Sequence, residues 1–274
     1  MRLAMPFVLF LLIFRGLAAA AEPLPRWEAG VGLGIISLPD YRGSADRQLL
    51  VLPYPHFIYR GEFIEIDRDN LKGWLFRGER LELDLSMAAG PPVESDKSAA
   101  RAGMEDLDPA LEFGVSAEIL LKGDKRGRGF FLKLPVRKVI ATDLSEFSDV
   151  GWTFSPFLQY RERQFLGAWS LALSLGPVFA TRRYHDYYYG VDPIHATATR
   201  PAFDAPAGYS GSRVTLGLER RLGPRLWLGG ALRYDYLGGA VFADSPLVRQ
   251  EHSLTGALVF TWFFARSRTL VTKE

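Results

Sequence analysis

The chain has 274 residues, 33 basic against 31 acidic, with 48% hydrophobic and 13% aromatic residues and no cysteine. Setting aside Arg2 and Arg15 of the leader leaves 31 basic residues against 31 acidic ones, so no charge excess points to nucleic acid. The lack of cysteine excludes a disulfide framework and any thiolate metal site.

The first segment reads as a targeting signal. Met1-Arg2, an apolar run from Met5 to Phe14 and the small residues Ala18 to Ala21 form its three parts. The run is too short for a membrane helix, which needs about 20 residues. Residues 1–21 are therefore expected to be removed, leaving residues 22–274 as one domain.

After the leader, apolar residues alternate with polar ones in segments of about ten residues, as in a membrane β-barrel. Leu81, Leu83, Leu85 and Met87 oppose Arg80, Glu82, Asp84 and Ser86; Leu111 to Leu121 and Arg213 to Arg221 alternate likewise. A helix would place Leu81 and Leu83 about 200° apart and scatter this face. Twelve strands are expected: Trp27–Ser37, Leu49–Tyr59, Phe63–Arg68, Leu71–Arg77, Arg80–Ala88, Leu111–Leu121, Phe130–Lys138, Gly151–Arg161, Leu166–Ala180, Arg213–Arg221, Leu226–Tyr236 and Gln250–Phe264. Ten is the alternative, if the two short strands Phe63–Arg68 and Leu71–Arg77 do not span. Short links such as Gly78-Glu79 and Gly223-Pro224-Arg225 alternate with long ones such as Pro91–Pro109 and Thr181–Gly211. That asymmetry predicts an all-β antiparallel transmembrane barrel with short turns and both termini in the periplasm. Aromatics including Trp152, Trp169, Trp227, Tyr234, Tyr236, Trp262 and Phe264 are expected in interfacial girdles.

These segments resemble the MipA/OmpV family of outer-membrane proteins. The similar stretches are SLPDYRGS (37–44), LPYPHFIYRGE (52–62), RLELDLS (80–86), GMEDLDPALEFG (103–114), LPVRKVIATDLS (134–145), YYYGVDP (187–193), PAFDAPAGY (201–209) and ADSPLV (243–248). The resemblance implies an outer-membrane barrel. For one branch it implies a scaffold that bridges a lytic transglycosylase and a penicillin-binding protein in peptidoglycan maintenance; other branches are described as porin-like. It carries no catalytic residues.

Little else points to chemistry: no catalytic, cofactor-binding or metal-ligating residue is expected, and outer-membrane lipid is the expected surrounding. His185 and His195 lie near Asp186, Asp192 and Asp204 without a ligand spacing, so solvated loop residues are the better reading. His252 and Ser253 are strand neighbours and point to opposite faces, which argues against a lipid hydrolase. Gly30 to Gly34 (GVGLG) lacks the helix and acidic partner of a nucleotide loop and reads as glycines in a curved strand. Glu82, Asp84, Glu112, Glu118, Glu219 and Asp235 share the inner face with Lys133, Arg137, Arg161, Arg221 and Arg233. This near balance predicts a narrow or occluded lumen without strong ion selectivity. Two surfaces are candidates for recognition: Arg182, Arg183, Tyr184, Tyr187, Tyr188 and Tyr189 in a long loop, and Asp124, Lys125, Arg126 and Arg128 in a periplasmic turn. A scaffold or binding barrel is the first expected function, a narrow small-solute channel the second, and an outer-membrane lipid hydrolase a distant third.

Overall fold

A computed structural model describes residues 24–61, 64–66, 71–125 and 127–271. The signal segment, the Asp69-Asn70 link and Arg126 lie outside the described residues. The strands are β1 (Leu24–Pro25), β2 (Trp27–Pro39), β3 (Arg47–Arg60), β4 (Ile64–Ile66), β5 (Leu71–Arg77), β6 (Leu81–Gly90), β7 (Ala110–Gly123) and β8 (Arg128–Thr142). They continue as β9 (Phe147–Phe154), β10 (Phe157–Phe165), β11 (Trp169–Ala180), β12 (Gly208–Arg221), β13 (Leu226–Tyr236), β14 (His252–Arg266) and β15 (Leu270–Val271).

All pairings are antiparallel, and the thirteen strands β2 to β14 form one sheet closed on itself. β9 and β10 are two halves of one stave. Both lie between β8 and β11, β9 on their upper parts and β10 on their lower parts. The break falls at Ser155-Pro156, where proline has no N–H to give the ladder. Among the described residues, thirteen strands less this one division gives twelve staves, the expected count. Only ten of these twelve are long enough to span, which meets the condition set for the alternative of ten. Closure satisfies the backbone groups that hydrocarbon cannot.

The alternation seen in sequence becomes two faces. Val31, Leu33 and Ile35 of β2, Leu85 and Met87 of β6, Phe113 and Val115 of β7, and Leu258, Phe260 and Trp262 of β14 are exposed on the outside. Glu28, Glu82, Asp84, Ser116, Glu118, Asp235 and Thr261 are buried inside. Exposed leucine and phenylalanine beside buried carboxylates suit a wall surrounded by lipid. None of the described helices is long and apolar enough to cross a membrane.

β4 and β5 are too short to span, since a tilted membrane strand needs about 9–11 residues. β3 joins β4 only at Tyr59 and Arg60, and β5 meets β6 only from Glu82 to Asp84. Among the described residues, the upper edges of β3 and β6 therefore share no ladder. Loop residues cross there instead: Gln48 Nε2 donates to the Pro92 carbonyl at 3.1 Å, and Ala99 N donates to Asp46 Oδ2 at 2.8 Å.

Short turns gather at one end, where β1 pairs with β15 and brings the two terminal segments together. By the short-turn rule this end is periplasmic. Long loops cover the other end with a core of their own: Tyr41, Val93, Leu107, Tyr189, Val191, Leu237, Phe242 and Leu247 are buried together. This cap includes the helix α1 (Arg182–Tyr189), which the alternation reading takes as loop.

Candidate functional site: a plugged and capped lumen

The periplasmic half of the lumen is filled. Ile58 of β3, Trp227 of β13 and Phe263 of β14 form a buried cluster, with Val259 against it. His56 sits on it, its ring centroid 6.0 Å from Trp227 and 5.3 Å from Phe263. Trp227 thus corrects the girdle expectation, because odd positions of β13 face inward. The glycines explain how these rings fit. A Cβ at Gly229 would lie 2.5 Å from the Trp227 ring, and one at Gly32 would lie 2.3 Å from the Tyr54 ring. Gly32 is a lumen-facing clearance for the Tyr54 ring, and Gly30 makes room first for the Trp262 carbonyl of the neighbouring strand and then for Phe263.

Ion pairs cross the lumen beside this cluster. Arg60 Nη2 bonds Glu28 Oε2 at 2.7 Å and its Nη1 donates to the Pro25 carbonyl at 2.6 Å, while Arg221 holds the other Glu28 oxygen. Glu118 binds Lys133 at 2.8 Å and also pairs with Arg161, whose guanidinium lies 3.6 Å from the Phe131 ring centroid. In a low-dielectric lumen such pairs hold one another in place, and removal of one partner leaves a costly charge. Glu28 and Arg60 are missing from the sequence reading, although Glu28 opposes Trp27 and Ala29 by simple alternation.

The upper lumen is arranged differently. Asp235 receives three guanidinium groups: Arg213 at 2.8 Å, Arg233 at 3.1 Å and Arg42 at 3.7 Å. Across from them, Glu112 meets Arg137 Nη1 and Thr153 Oγ1, each at 3.3 Å. Arg42 comes from the β2–β3 loop and also donates to the Ser210 carbonyl at 2.7 Å, a contact no strand pattern discloses.

Above this, α1 closes the barrel. His185, Tyr189 and Tyr188 fall at helical spacing and turn inward, the signal that period-two reading overlooks. Tyr189 donates to the Arg42 carbonyl at 3.0 Å, and Tyr187 to the Asp108 carbonyl at 3.0 Å. Tyr184 lies among Arg42, Arg213, Arg233 and Glu112. The expected outward display of Tyr184, Tyr187, Tyr188 and Tyr189 is therefore corrected: they pack the cap, because large rings bury more apolar area there than a loop surface offers. Arg182 and Arg183 remain outside, paired with Asp186 and Asp149. Burial pushes the Tyr41 and Tyr187 phenols up to about 12, so both hydroxyls stay protonated and donate.

His185 is buried, with Nδ1 on the Pro206 carbonyl at 2.6 Å. Burial pushes its pKa below the ordinary value, only partly offset by this hydrogen bond. Asp186 accepts from Ala205 N at 2.7 Å, and Asp192 caps the short turn Pro193–His195. No metal-binding group of three ligands is found among the described residues. His252 stacks outside against Tyr234 and Tyr236, whereas Ser253 points inside and accepts from Gly43 N at 2.9 Å.

In the periplasmic turn, Lys125 does not project freely. Its ammonium donates to the Gly78 carbonyl at 2.7 Å and Glu82 Oε1 at 2.8 Å. Arg128 pairs with Glu162, and Asp124 N donates to the Arg128 carbonyl at 2.9 Å.

The sequence profile of the MltA-interacting protein MipA matches residues 31–264. The chain belongs to the MipA family. It is 25% identical over 264 residues to the outer membrane protein YiaT of Escherichia coli (strain K12), covering 93% of this chain and 96% of that one. Among solved structures it is similar to an outer membrane channel from Pseudomonas putida F1, with a TM-score of 0.46, 12% identity and coverage of 89% and 97%. A bacterial polysaccharide outer membrane secretin gives a TM-score of 0.42, 8% identity and coverage of 87% and 99%. This MipA-family chain is an outer-membrane β-barrel protein.

Proposed function

We propose that this protein works by binding, as a closed barrel that serves envelope maintenance as a scaffold, and does not act as an open pore. The observation that carries this reading is the filled periplasmic lumen, where Ile58, Trp227 and Phe263 pack beside the Glu28–Arg60–Arg221 network. A chain that fills its channel with packed rings and paired charges has little use for it as a conduit.

The family's description as MltA-interacting suggests a lytic transglycosylase as partner, with a penicillin-binding protein as the second. Such enzymes meet the periplasmic end. That end offers the β1–β15 ladder and the turns carrying Leu166, Leu222 and Leu270, all exposed. Lys125, tied to Glu82, is a poor contact by comparison. A photo-crosslinking residue at Leu166 or Leu222 is expected to capture the lytic transglycosylase in cells, identified with a specific antibody. Absence of that adduct from both positions, with the barrel correctly inserted, contradicts the scaffold reading.

A second reading, a narrow channel for small solutes, draws on Leu52. This residue sits on the inward-facing register of β3 yet is 47% exposed, so the upper lumen is not filled. Liposome swelling with small solutes separates the two.

A further inference from the structure

The inward charges balance along the barrel as a whole but not at each height. Four lumen-facing or lumen-reaching guanidinium groups stand in the upper half, Arg42, Arg137, Arg213 and Arg233, against the carboxylates Glu112 and Asp235. Glu112 is satisfied by Arg137 and Thr153, which leaves three cations on Asp235 alone. Asp235 is 1% exposed, whereas the Arg213 and Arg233 side chains are 30% and 35% exposed.

Their donors are incompletely used. Arg213 bonds Asp235 through Nε only, and Arg233 donates through Nη2 to Thr255 Oγ1 at 3.3 Å, while its Nε lies 3.1 Å from Asp235 Oδ2 as an ion pair without hydrogen-bond geometry. Among the described residues, both Nη groups of Arg213 and Nη1 of Arg233 meet no protein acceptor. The two side chains are held side by side by the ladder, which pairs Arg213 with Asp235 and Thr215 with Arg233. Excess positive charge in a barrel interior is costly unless an anion joins it. Paired planar guanidinium forks suit the oxygens of a phosphate or carboxylate.

We infer that the Arg42–Arg213–Arg233 cluster around Asp235 is a binding site for a small oxyanion, a phosphate- or carboxylate-bearing solute or headgroup, seated beneath α1. Tyr184 would stand over the bound group. The site is at the opposite end of the barrel from the proposed periplasmic contacts, so it stands or falls independently of them.

The test uses the mature protein folded in a neutral maltoside detergent and titrated calorimetrically with inorganic phosphate at low ionic strength. Saturable binding is expected, weakened about tenfold or more in the double variant R213Q/R233Q, since each lost guanidinium takes charge-assisted hydrogen bonds from the anion. D235N removes the competing carboxylate and is expected to bind phosphate more tightly, an outcome that general loss of structure does not give. Circular dichroism and heat-modifiable gel mobility identify variants that retain the barrel. Comparing lysophosphatidic acid with free phosphate separates a lipid headgroup from a soluble anion as the source. No phosphate binding at millimolar concentrations by the wild type, or equal binding by folded R213Q/R233Q, overturns the inference.

Discussion

Tyr189 and Phe242 stack face to face, their ring centroids 3.6 Å apart and their planes within 6°. One belongs to α1 and the other to the loop between β13 and β14, so this contact locks two extracellular loops over the barrel mouth. His185 packs against this pair at a tilt, its ring centroid 4.9 Å from that of Phe242. Tyr189→Ala is expected to destabilise the cap by about 3–5 kcal/mol, as for other buried aromatic truncations. Limited trypsinolysis should then cut at Arg182 or Arg183 while the barrel persists on gels; resistance equal to that of the wild type contradicts the cap.

Acid should loosen the same cap. Nδ1 of His185 donates to Pro206, and Nε2 is buried with no partner among the described residues. The groups acting on the ring are Arg42, which opposes its protonation, and Asp186, which favours it. Because the folded pKa lies below the ordinary 6.5, the unfolded state binds more protons at mildly acid pH. Stability is therefore full above 6.5 and falls as pH descends through that value towards the folded one. The protection of the loop amides, taken relative to the intrinsic exchange rate at each pH, should fall between pH 7 and 5 in the wild type and much less in His185→Phe.

Glu118 offers a test of the paired charges. Its carboxylate serves Lys133 and Arg161 together. Glu118→Gln leaves both cations under-compensated and is expected to cost about 3–5 kcal/mol in urea unfolding from lipid vesicles. The double change Glu118→Met with Lys133→Met should cost less than Glu118→Gln alone. Equal or larger loss in the double variant argues against a buried ion-pair network.

Gly229 is where the plug meets the wall. A side chain there must push against the Trp227 ring, so Gly229→Val is expected to shift the indole and blue- or red-shift its fluorescence relative to the wild type. Gly230→Val, one residue on and facing outward, is the control and should leave the indole in place. An unchanged spectrum in Gly229→Val contradicts the packing of the plug.

Much of the barrel was legible because the membrane imposes a period of two on every spanning segment. The run Leu81 to Met87 and the final Phe260, Trp262 and Phe264 lie outward as alternation requires. The inner charges Glu112, Glu118 and Asp235 were readable for the same reason. What alternation cannot give is which inner residues touch. Trp227 plugs the lumen because Gly229 and Phe263 leave it room, a relation spread over two strands. The upper arginine cluster needs Arg42 from a loop, and the cap needs a short helix whose polar composition hides its buried tyrosines. The two short staves were ambiguous for a physical reason as well: β4 and β5 complete the ladder near the periplasmic end without the length to cross.

The central claim is that aromatic packing and paired charges close the periplasmic half of the lumen. Planar-bilayer recording of the refolded mature protein tests it most directly. The wild type is expected to insert without steady ionic conductance, and Trp227→Ala combined with Phe263→Ala to produce discrete channel steps. Large, stable conductance from the wild type, unchanged by removing these two rings, would contradict the account.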